Sequence, residues 1–388
     1  MFFCWILLGI LTLEKLWKLS QIHLFFSTAV ESQPSDDLEI DLVHPIVSGD
    51  PYLSKCLQSN LENLASNAIQ VKTYLVVGET DHEALELCGR LSEQFEFTVV
   101  RVKPAPQGVS PKTHKLKAGL KAGRSEVVAF LDDDTTLPKE GLAQAAMLLD
   151  EDVGLVHGLP YYRSFDNIWS ALVACFVNAH SLLTYIPYLR LSAPVTINGM
   201  FYAIRRKTLK RLGGLESIEY QLCDDFAIGQ AVQKIGLKVH QSQIRHPIRT
   251  YVHSARDYHQ LLRRWFIFPS ISVMRQLPKR ELFIFWLVCL VPTSLFSALM
   301  LSCLVLSCPL PAICGVILMD RVNRHIDRVY LKKATPSRWF GLMLLSQFLL
   351  PIQIIWALLG KSQIEWRGEL LEVHKDGSFV YLERDSCS

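Results

Sequence analysis

Three adjacent carboxylates, Asp132-Asp133-Asp134, follow the apolar run Val127-Val128-Ala129-Phe130-Leu131, and Thr135, Thr136, Leu137 and Pro138 come next. An apolar run of this length, bounded by polar and turn residues, predicts a buried parallel strand. The acids then sit at the strand's carboxyl end, where open α/β sheets bind ligands. Neighbouring acids repel one another unless a cation offsets them. Oxygen-only donors suit a hard divalent ion such as Mg2+ or Mn2+, and such an ion can also hold a diphosphate. The same residues are compatible with a solvated Asp-rich turn. A second pair, Asp224-Asp225, opens a helical stretch that runs to Ile235. Acids in a first helical turn are favoured by the helix dipole, so this pair is either chemistry or a cap.

The surrounding chain must position these acids. Asp41 to Val47, Thr73 to Val77 and Phe97 to Val102 read as strands, and helical stretches separate them. Ser48-Gly49-Asp50-Pro51 opens the first helix, Gly78-Glu79-Thr80-Asp81 ends the second strand, and a short helix from Lys115 precedes the Asp strand. This alternation implies βαβ units and a mostly parallel sheet. There is no GxGxxG and no Walker lysine loop, which argues against a dinucleotide-dependent dehydrogenase or a P-loop enzyme. Further on, Val153 to Leu159 and Gly199 to Ile204 read as strands, and Trp169 to Leu183 as an apolar helix carrying His180.

The chain has 388 residues, 40 basic against 37 acidic, so no nucleic-acid partner is expected. Its 50% hydrophobic content is unevenly spread: Leu282 to Met319 holds no charge over 38 positions, and Phe340 to Gly360 none over 21. One membrane helix needs about 20 apolar residues, so an integral membrane protein with a large soluble part is expected. The first run should fold back as a hairpin, broken near Pro292 or at Cys308-Pro309-Leu310-Pro311. That returns Arg321, Arg324, Arg328, Lys332 and Lys333 to the inner face. Phe2 to Leu13 is short for a span and reads as an uncleaved anchor, with Lys15 and Lys18 facing the cytoplasm. The alternating Ser378 to Leu382 and a Trp366-Arg367-Gly368 turn suggest a tail docked on the soluble domain, where Cys387 would be shielded from outside. The expected organisation is a membrane anchor over 1–26, a catalytic domain over 38–270, membrane or interfacial helices over 281–360 and a cytosolic tail over 361–388. The ten cysteines show neither a disulfide framework nor zinc spacing.

Several local motifs resemble one family. His44-Pro45 to Asp50-Pro51 with Asn60-Leu61-Glu62, Pro111-Lys112 with Leu116, Val153 to Tyr161, Gly199-Met200 before a strand and Arg205, Asp224-Asp225, Arg264-Trp265 and Trp366-Arg367-Gly368 are similar to stretches of membrane-bound inverting glycosyltransferases of the GT-A type. The closer resemblance is to ceramide glucosyltransferase and its bacterial relatives. Glu79 stands where the family has an aspartate, His44 where it has a lysine, and Leu261 replaces the first residue of its (Q/R)xxRW motif.

The resemblance implies a GT-A fold, an α/β nucleotide-diphospho-sugar transferase with a Rossmann-like mixed sheet. It implies a hexose, glucose or N-acetylglucosamine, moved from a UDP-sugar to a membrane lipid hydroxyl, with the catalytic domain on the cytoplasmic face. The acceptor would be ceramide-like or hopanoid-like. Asp132 and Asp134 would hold Mg2+ or Mn2+, and Glu79, Lys112, Asp132, Arg264 and Trp265 the donor. Asp225 would be the general base, chosen over Asp224 as the second acid of its pair. Asp224, Gly199, His157 and His180 would lie on the acceptor side, although both histidines also suit a packed core and Arg264-Trp265 a membrane-surface anchor. Two alternatives are a processive polysaccharide synthase of the cellulose or chitin kind and a non-catalytic membrane scaffold. The first needs an intact QxxRW, and the second predicts decay of the acids, all of which are present.

Overall fold

The chain was analysed as a computed structural model, in which residues 1–28, 38–66, 69–268, 274–359, 363–366, 369–374 and 376–383 are described. The Asp strand lies within a seven-stranded sheet: β1 (Glu39–Ile46), β2 (Gln70–Gly78), β3 (Thr98–Val102), β4 (Val127–Leu131), β5 (Val153–Tyr162), β6 (Phe201–Arg205) and β7 (Lys238–Ile248). The spatial order is β3-β2-β1-β4-β6-β5-β7. β1 pairs in parallel with β2 and β4, and β2 with β3. β6 runs antiparallel between β4 and β5, and β7 is parallel to β5. The expected mixed α/β sheet is therefore present.

Every residue of β4 is buried. Strand alternation sends Val127, Ala129 and Leu131 into one apolar cluster, and Val128 and Phe130 into the cluster on the other face. An apolar run without alternation is what a strand covered on both faces requires. Its neighbours β1 and β6 lead to different halves of the domain, so the acids after Leu131 stand at the switch point of the sheet.

β7 is the longest strand, and its sequence does not read as one. Gln241, Ser242 and His246 are buried in it. Gln241 Nε2 donates to the Gly158 carbonyl at 2.9 Å and Ser242 Oγ to the His157 carbonyl at 2.8 Å, so polar side chains take the place of apolar packing. The helix before β4 also starts earlier than Lys115. It spans Pro111–Ala122, with Ser110 as its N-cap and Pro111 in the first turn.

The membrane-side elements pack on this domain. Among the described residues, three helices are long and apolar enough to cross a membrane: Ile168–Leu189, Lys279–Val305 and Ser337–Trp356. Lys279–Val305 folds back through Leu306 to Cys308 into the helix Pro309–Val329. The break falls at Ser307, whose φ is 47°, and Cys308 N donates back to the Cys303 carbonyl at 2.9 Å. Pro292 does not break the run. The helix passes through it after a π-helical turn at Trp286–Leu290, a geometry that relieves the ladder at a proline.

The N-terminal helix is a single element, Phe2–Ser27. Its lysines do not face solvent: Lys15 is 4% and Lys18 3% exposed. Both pair with Glu14, at 3.0 and 2.8 Å, because the helix lies against the bundle and turns this face inward. Its last turns are held to β7, where Gln243 Nε2 donates to the Phe25 carbonyl at 2.6 Å.

At the other end, β8 (Gln363–Trp366), β9 (Glu369–Val373) and β10 (Phe379–Glu383) form an antiparallel sheet. Ile364, Leu371, Val373, Phe379 and Tyr381 bury against Leu222 and Ile267, so the tail docks on the catalytic domain. Arg367, Gly368 and Cys387 lie outside the described residues.

One buried carboxylate fastens the central strands. Asp41 of β1 is fully buried and accepts from Ser125 N at 2.9 Å, Ser125 Oγ at 2.8 Å and Arg206 Nη2 at 2.7 Å. A Cβ on Gly123 would overlap this carboxylate, so glycine is required there. Removing one partner of such a pair leaves the other desolvated and uncompensated, at about 3–5 kcal/mol. Asp41→Ala should therefore lower the thermal midpoint of the detergent-solubilised protein by several degrees, and an unchanged midpoint would refute this role.

Candidate active site

The acids after β4 are pinned from three sides. Asp132 N donates to the Met200 carbonyl at 2.9 Å, Thr136 N to the Pro247 carbonyl at 2.9 Å, and Arg249 N to the Asp134 carbonyl at 2.8 Å. The three carboxylates have separate partners. Asp133 accepts the Val47 N–H at 3.0 Å and so ties the end of β1. Asp134 accepts from Thr135 Oγ1 at 3.0 Å and Thr250 Oγ1 at 2.8 Å. Asp132 is held by Lys112, whose Nζ lies 2.8 Å from one carboxylate oxygen and 2.9 Å from the other.

Lys112 joins the two acidic motifs. It stands in the first turn of its helix, where Ser110 caps the Thr113 N–H. Its Nζ also donates to the Gly199 carbonyl at 3.2 Å and lies 3.6 Å from Asp224 Oδ2. Asp224 and Asp225 open the helix Asp224–Lys234, so the dipole favours both. Asp225 reaches the same loop: a Cβ on Gly199 would overlap its carboxylate, which makes glycine obligatory at this close approach. Asp132, Lys112, Gly199, Asp224 and Asp225 thus form one cluster.

Its electrostatics follow from burial among like charges. Burial, then the charge of Asp224, holds Asp225 well above the usual carboxylate range, and Lys112 offsets this in part. Burial, then Asp132 and Asp133, pushes Asp134 up to about 7. Asp132 is also raised by burial, against the pull of Lys112.

The donor set fits a divalent cation. Asp134 is a buried carboxylate held by hydroxyls, with two acids beside it and no basic side chain in its hydrogen bonds. No group of three His, Cys, Asp or Glu side chains converges among the described residues. Asp132 and Asp134 would then hold the ion together with phosphate oxygens and water, the usual manner for Mg2+. When bound, the ion supplies Lewis-acid stabilisation of a leaving diphosphate.

The other expected residues are placed less uniformly. Glu79 is exposed beyond β2, joined to Val102 by its backbone at 2.8 Å, and its side chain has no partner among the described residues. Two positions later, Asp81 accepts from Ser48 N at 3.0 Å and Ala84 N at 3.1 Å. Trp265 packs on Phe176, with rings 6.2 Å apart, and edge-on to Tyr162 at 6.3 Å. Arg264 acts electrostatically on Tyr162, as Asp134 does. His157 is buried behind the site and accepts the Asn198 N–H at 3.1 Å through Nδ1, so it supports the Asn198-Gly199 loop. Burial and the nearby His240 and His246 keep it neutral, lowered to about 3. His180 lies on the helix Ile168–Leu189, with its ring 5.2 Å from Phe176.

Four supporting residues had no functional reading in the sequence. Asp50 accepts from Tyr52 N at 2.8 Å and Tyr251 N at 3.0 Å, and Thr250, Asp81 and Asn198 hold the neighbouring loops. The Asp50-Pro51 turn and the Gly78-to-Asp81 strand end were the local signals among them. The tail adds a further contact: Leu222 N donates to the Gly377 carbonyl at 3.1 Å, and Gln221 bridges Ser378, just ahead of Asp224-Asp225.

The profile of glycosyl transferase family 21 matches residues 3–379. The chain belongs to this family. Among solved structures, a mannosyltransferase from Pyrobaculum calidifontis, in complex with GDP-Man and Mn2+, is similar over 91% of this chain and 98% of its own, at 14% identity and a TM-score of 0.52. At that identity the likeness establishes the shared GT-A fold alone. Glucosyl-3-phosphoglycerate synthase from Mycobacterium tuberculosis, in complex with Mg2+ and UDP, covers 59% of this chain and 78% of its own at 16% identity, and its TM-score of 0.34 carries no argument.

The electrostatics of this family 21 glycosyltransferase set a sign for its pH dependence. Were Asp225 a general base, it would work only when ionised, and activity would fall as pH drops through its raised pKa. Asp224→Asn removes the like charge and should move the acid limb of kcat/KM to lower pH. Lys112→Met removes the offsetting cation and should move it to higher pH. Acid limbs that coincide in all three proteins would detach this cluster from the rate.

Proposed function

We propose that this family 21 enzyme is a membrane-bound inverting hexosyltransferase that moves glucose or N-acetylglucosamine from a UDP-sugar to the hydroxyl of a ceramide-like or hopanoid-like lipid. The observation that carries this reading is the position of Asp225. The helix Asp224–Lys234 that Asp225 opens is tied to the segment after the membrane-length helix Ile168–Leu189: Gln230 Nε2 donates to the Val195 carbonyl at 3.1 Å, and Val195 packs with Tyr188 and Val288 of the bundle. An acceptor delivered there comes from the bilayer. The GDP-Man and Mn2+ of the Pyrobaculum enzyme fit a nucleotide-sugar donor with a divalent cation.

In this mechanism Lys112 meets the donor diphosphate, Asp132 and Asp134 would hold the divalent ion that offsets its charge, Arg264 adds positive charge and Glu79 meets the nucleotide. Asp225, beside Gly199 and Asp224, takes the proton from the acceptor hydroxyl as it attacks the anomeric carbon from the face opposite the diphosphate. Trp265, on Phe176 and Tyr162, forms an aromatic wall toward the bundle. The bundle centre is filled by Cys4, Leu11, Phe296, Leu299 and Met319, which favours a lipid acceptor over a growing polysaccharide. The catalytic domain faces the cytoplasm, the source of UDP-sugars, and Arg275, Lys279 and Arg280 flank it there.

Mass spectrometry of lipids from cells with and without the protein tests the reading directly, and identical glycolipid profiles would overturn it. In the purified enzyme, chelation should abolish transfer and Mg2+ or Mn2+ should restore it. Asp225→Asn should lower turnover by about 10²–10⁴-fold with UDP affinity retained, the range for losing a general base. Substantial turnover in that variant would remove Asp225 from the role.

A further inference from the structure

Residues 321–339 carry six Lys and Arg against one acid, Asp327. They end the helix Pro309–Val329 and lead into the membrane-length helix Ser337–Trp356, so this charged stretch marks an edge of the apolar bundle. The fold brings two more cations to the turn inside it. Arg245 of β7 donates through Nη1 to the Tyr330 carbonyl at 2.7 Å, and Arg163, just after β5, through Nη2 to the Lys332 carbonyl at 3.5 Å. Phe26, in the last turn of the N-terminal helix, lies 5.2 Å from the Arg245 guanidinium and stacks on Tyr330 at 4.9 Å. The sheet, the bundle and the N-terminal helix thus meet at one positively charged corner.

This corner is strained and short of negative charge. Lys332 and Lys333 have φ of 55° and 54°, a region that glycine enters freely and a lysine only at a cost. Packing does not require lysine there, because both residues are exposed. Both guanidiniums bond carbonyls rather than carboxylates. Asp327 is 4% exposed and accepts the Thr335 N–H at 2.8 Å, so it is engaged inside the turn and offsets Arg163 only in part. Arg324 is paired with Asp320 at 2.8 Å and stands outside the cluster. Burial, then the charges of Arg245 and Arg163, holds Lys332 below the usual lysine range, a repulsion that an anion at this corner would relieve.

We propose that Arg163, Arg245, Lys332 and Lys333 form a docking site for the phosphate of an anionic phospholipid in the adjoining leaflet. A phosphodiester carries a full negative charge, with oxygens for a guanidinium fork and for the two ammonium groups. Clustered cations beside a membrane span are drawn to an anionic leaflet. The surroundings favour a lipid over a soluble anion. Arg338 lies 5.4 Å from the Trp339 ring and Arg324 4.2 Å from the Phe340 ring, and cations with aromatic rings suit the membrane interface. A zwitterionic headgroup would set its own cation against the cluster. An occupied site would tie β5 and β7 to the leaflet, and β7 leads to the Pro247 and Arg249 backbone groups that fix Thr136 and Asp134. This docking is independent of the sugar and of the acceptor.

The test is a thermal titration of the full-length protein in neutral detergent. Dihexanoyl phosphatidylglycerol should raise the midpoint by several degrees through linkage, and dihexanoyl phosphatidylcholine should leave it in place. The rise should shrink at high salt. Lys332→Gly combined with Lys333→Gly suits the left-handed backbone and removes two charges, so the variant should fold with a midpoint close to the native one. It should need about 30-fold more phosphatidylglycerol for the same rise, about fivefold for each lysine near an anionic surface. Should it not fold, Lys332→Asn combined with Lys333→Asn, which also accepts this backbone, carries the same expectation. The docking site is overturned by an equal rise with phosphatidylcholine, by an equal rise with inorganic phosphate at the same concentration, or by an undiminished rise in the variants. Failure of lipid glycosylation would leave these midpoints as they are, so the acceptor reading and the docking site fall separately.

Discussion

A single ammonium holds the site together. Lys112 touches Asp132 and the Gly199 carbonyl and comes within 3.6 Å of Asp224, so it joins the end of β4, the loop before β6 and the start of the helix Asp224–Lys234. These segments are distant in sequence and each carries negative charge or a carbonyl toward the centre. Without Lys112 the acids Asp132, Asp224 and Asp225 would repel across a partly desolvated space. Lys112 offsets the charges of Asp132 and Asp225 only in part and both stay raised, as does Asp134. A site left short of positive charge is poised to take up a cation and to accept a proton.

The sheet order explains how these groups meet. β6 enters antiparallel beside β4, so Met200, just before it, receives the Asp132 N–H and sets Gly199 beside Lys112. β7 then crosses to the same edge, and its end supplies the Pro247 and Arg249 backbone groups and the Thr250 hydroxyl that fix Thr136 and Asp134. The neutral His157 lies one layer deeper and fixes the loop through Asn198. The acids are local in sequence, and the groups that position them are spread over the whole domain.

That difference sets what could be read in advance. β4 and the acids after it were legible because a five-residue apolar run ending in carboxylates has few alternatives. The Asp224-Asp225 pair was legible as a helix start, and Lys112 through its resemblance to a family motif. β7 was not, because its interior positions are Gln241, Ser242 and His246, whose burial depends on hydrogen bonds to β5 that no local pattern announces. Asp81 was passed over for Glu79, which stands at the aligned position, although Asp81 is the acid that caps the next helix and holds the end of β1. Short-range patterning identifies elements, and satisfaction of buried polar groups is a property of the tertiary structure.

The boundary between catalytic domain and membrane part was drawn from charge, and the structure gives charge a different meaning here. Ile168–Leu189 belongs to the chain segment of the soluble domain, yet it is long and apolar enough to span, and it packs on both the N-terminal helix and the helix Phe340–Leu358. The bundle is therefore continuous with the domain. Lys15 and Lys18 read in sequence as the polar end of an anchor, and in the structure both are buried, with Lys18 donating to Val288 in the π-helical turn. A lysine at the end of an apolar stretch is solvated only if its helix ends there. This helix continues for two more turns, until Phe25 and Phe26 dock on β7 and Tyr330. Because the helix runs past its charges, those charges are carried into the bundle, where this helix packs on Ile168–Leu189.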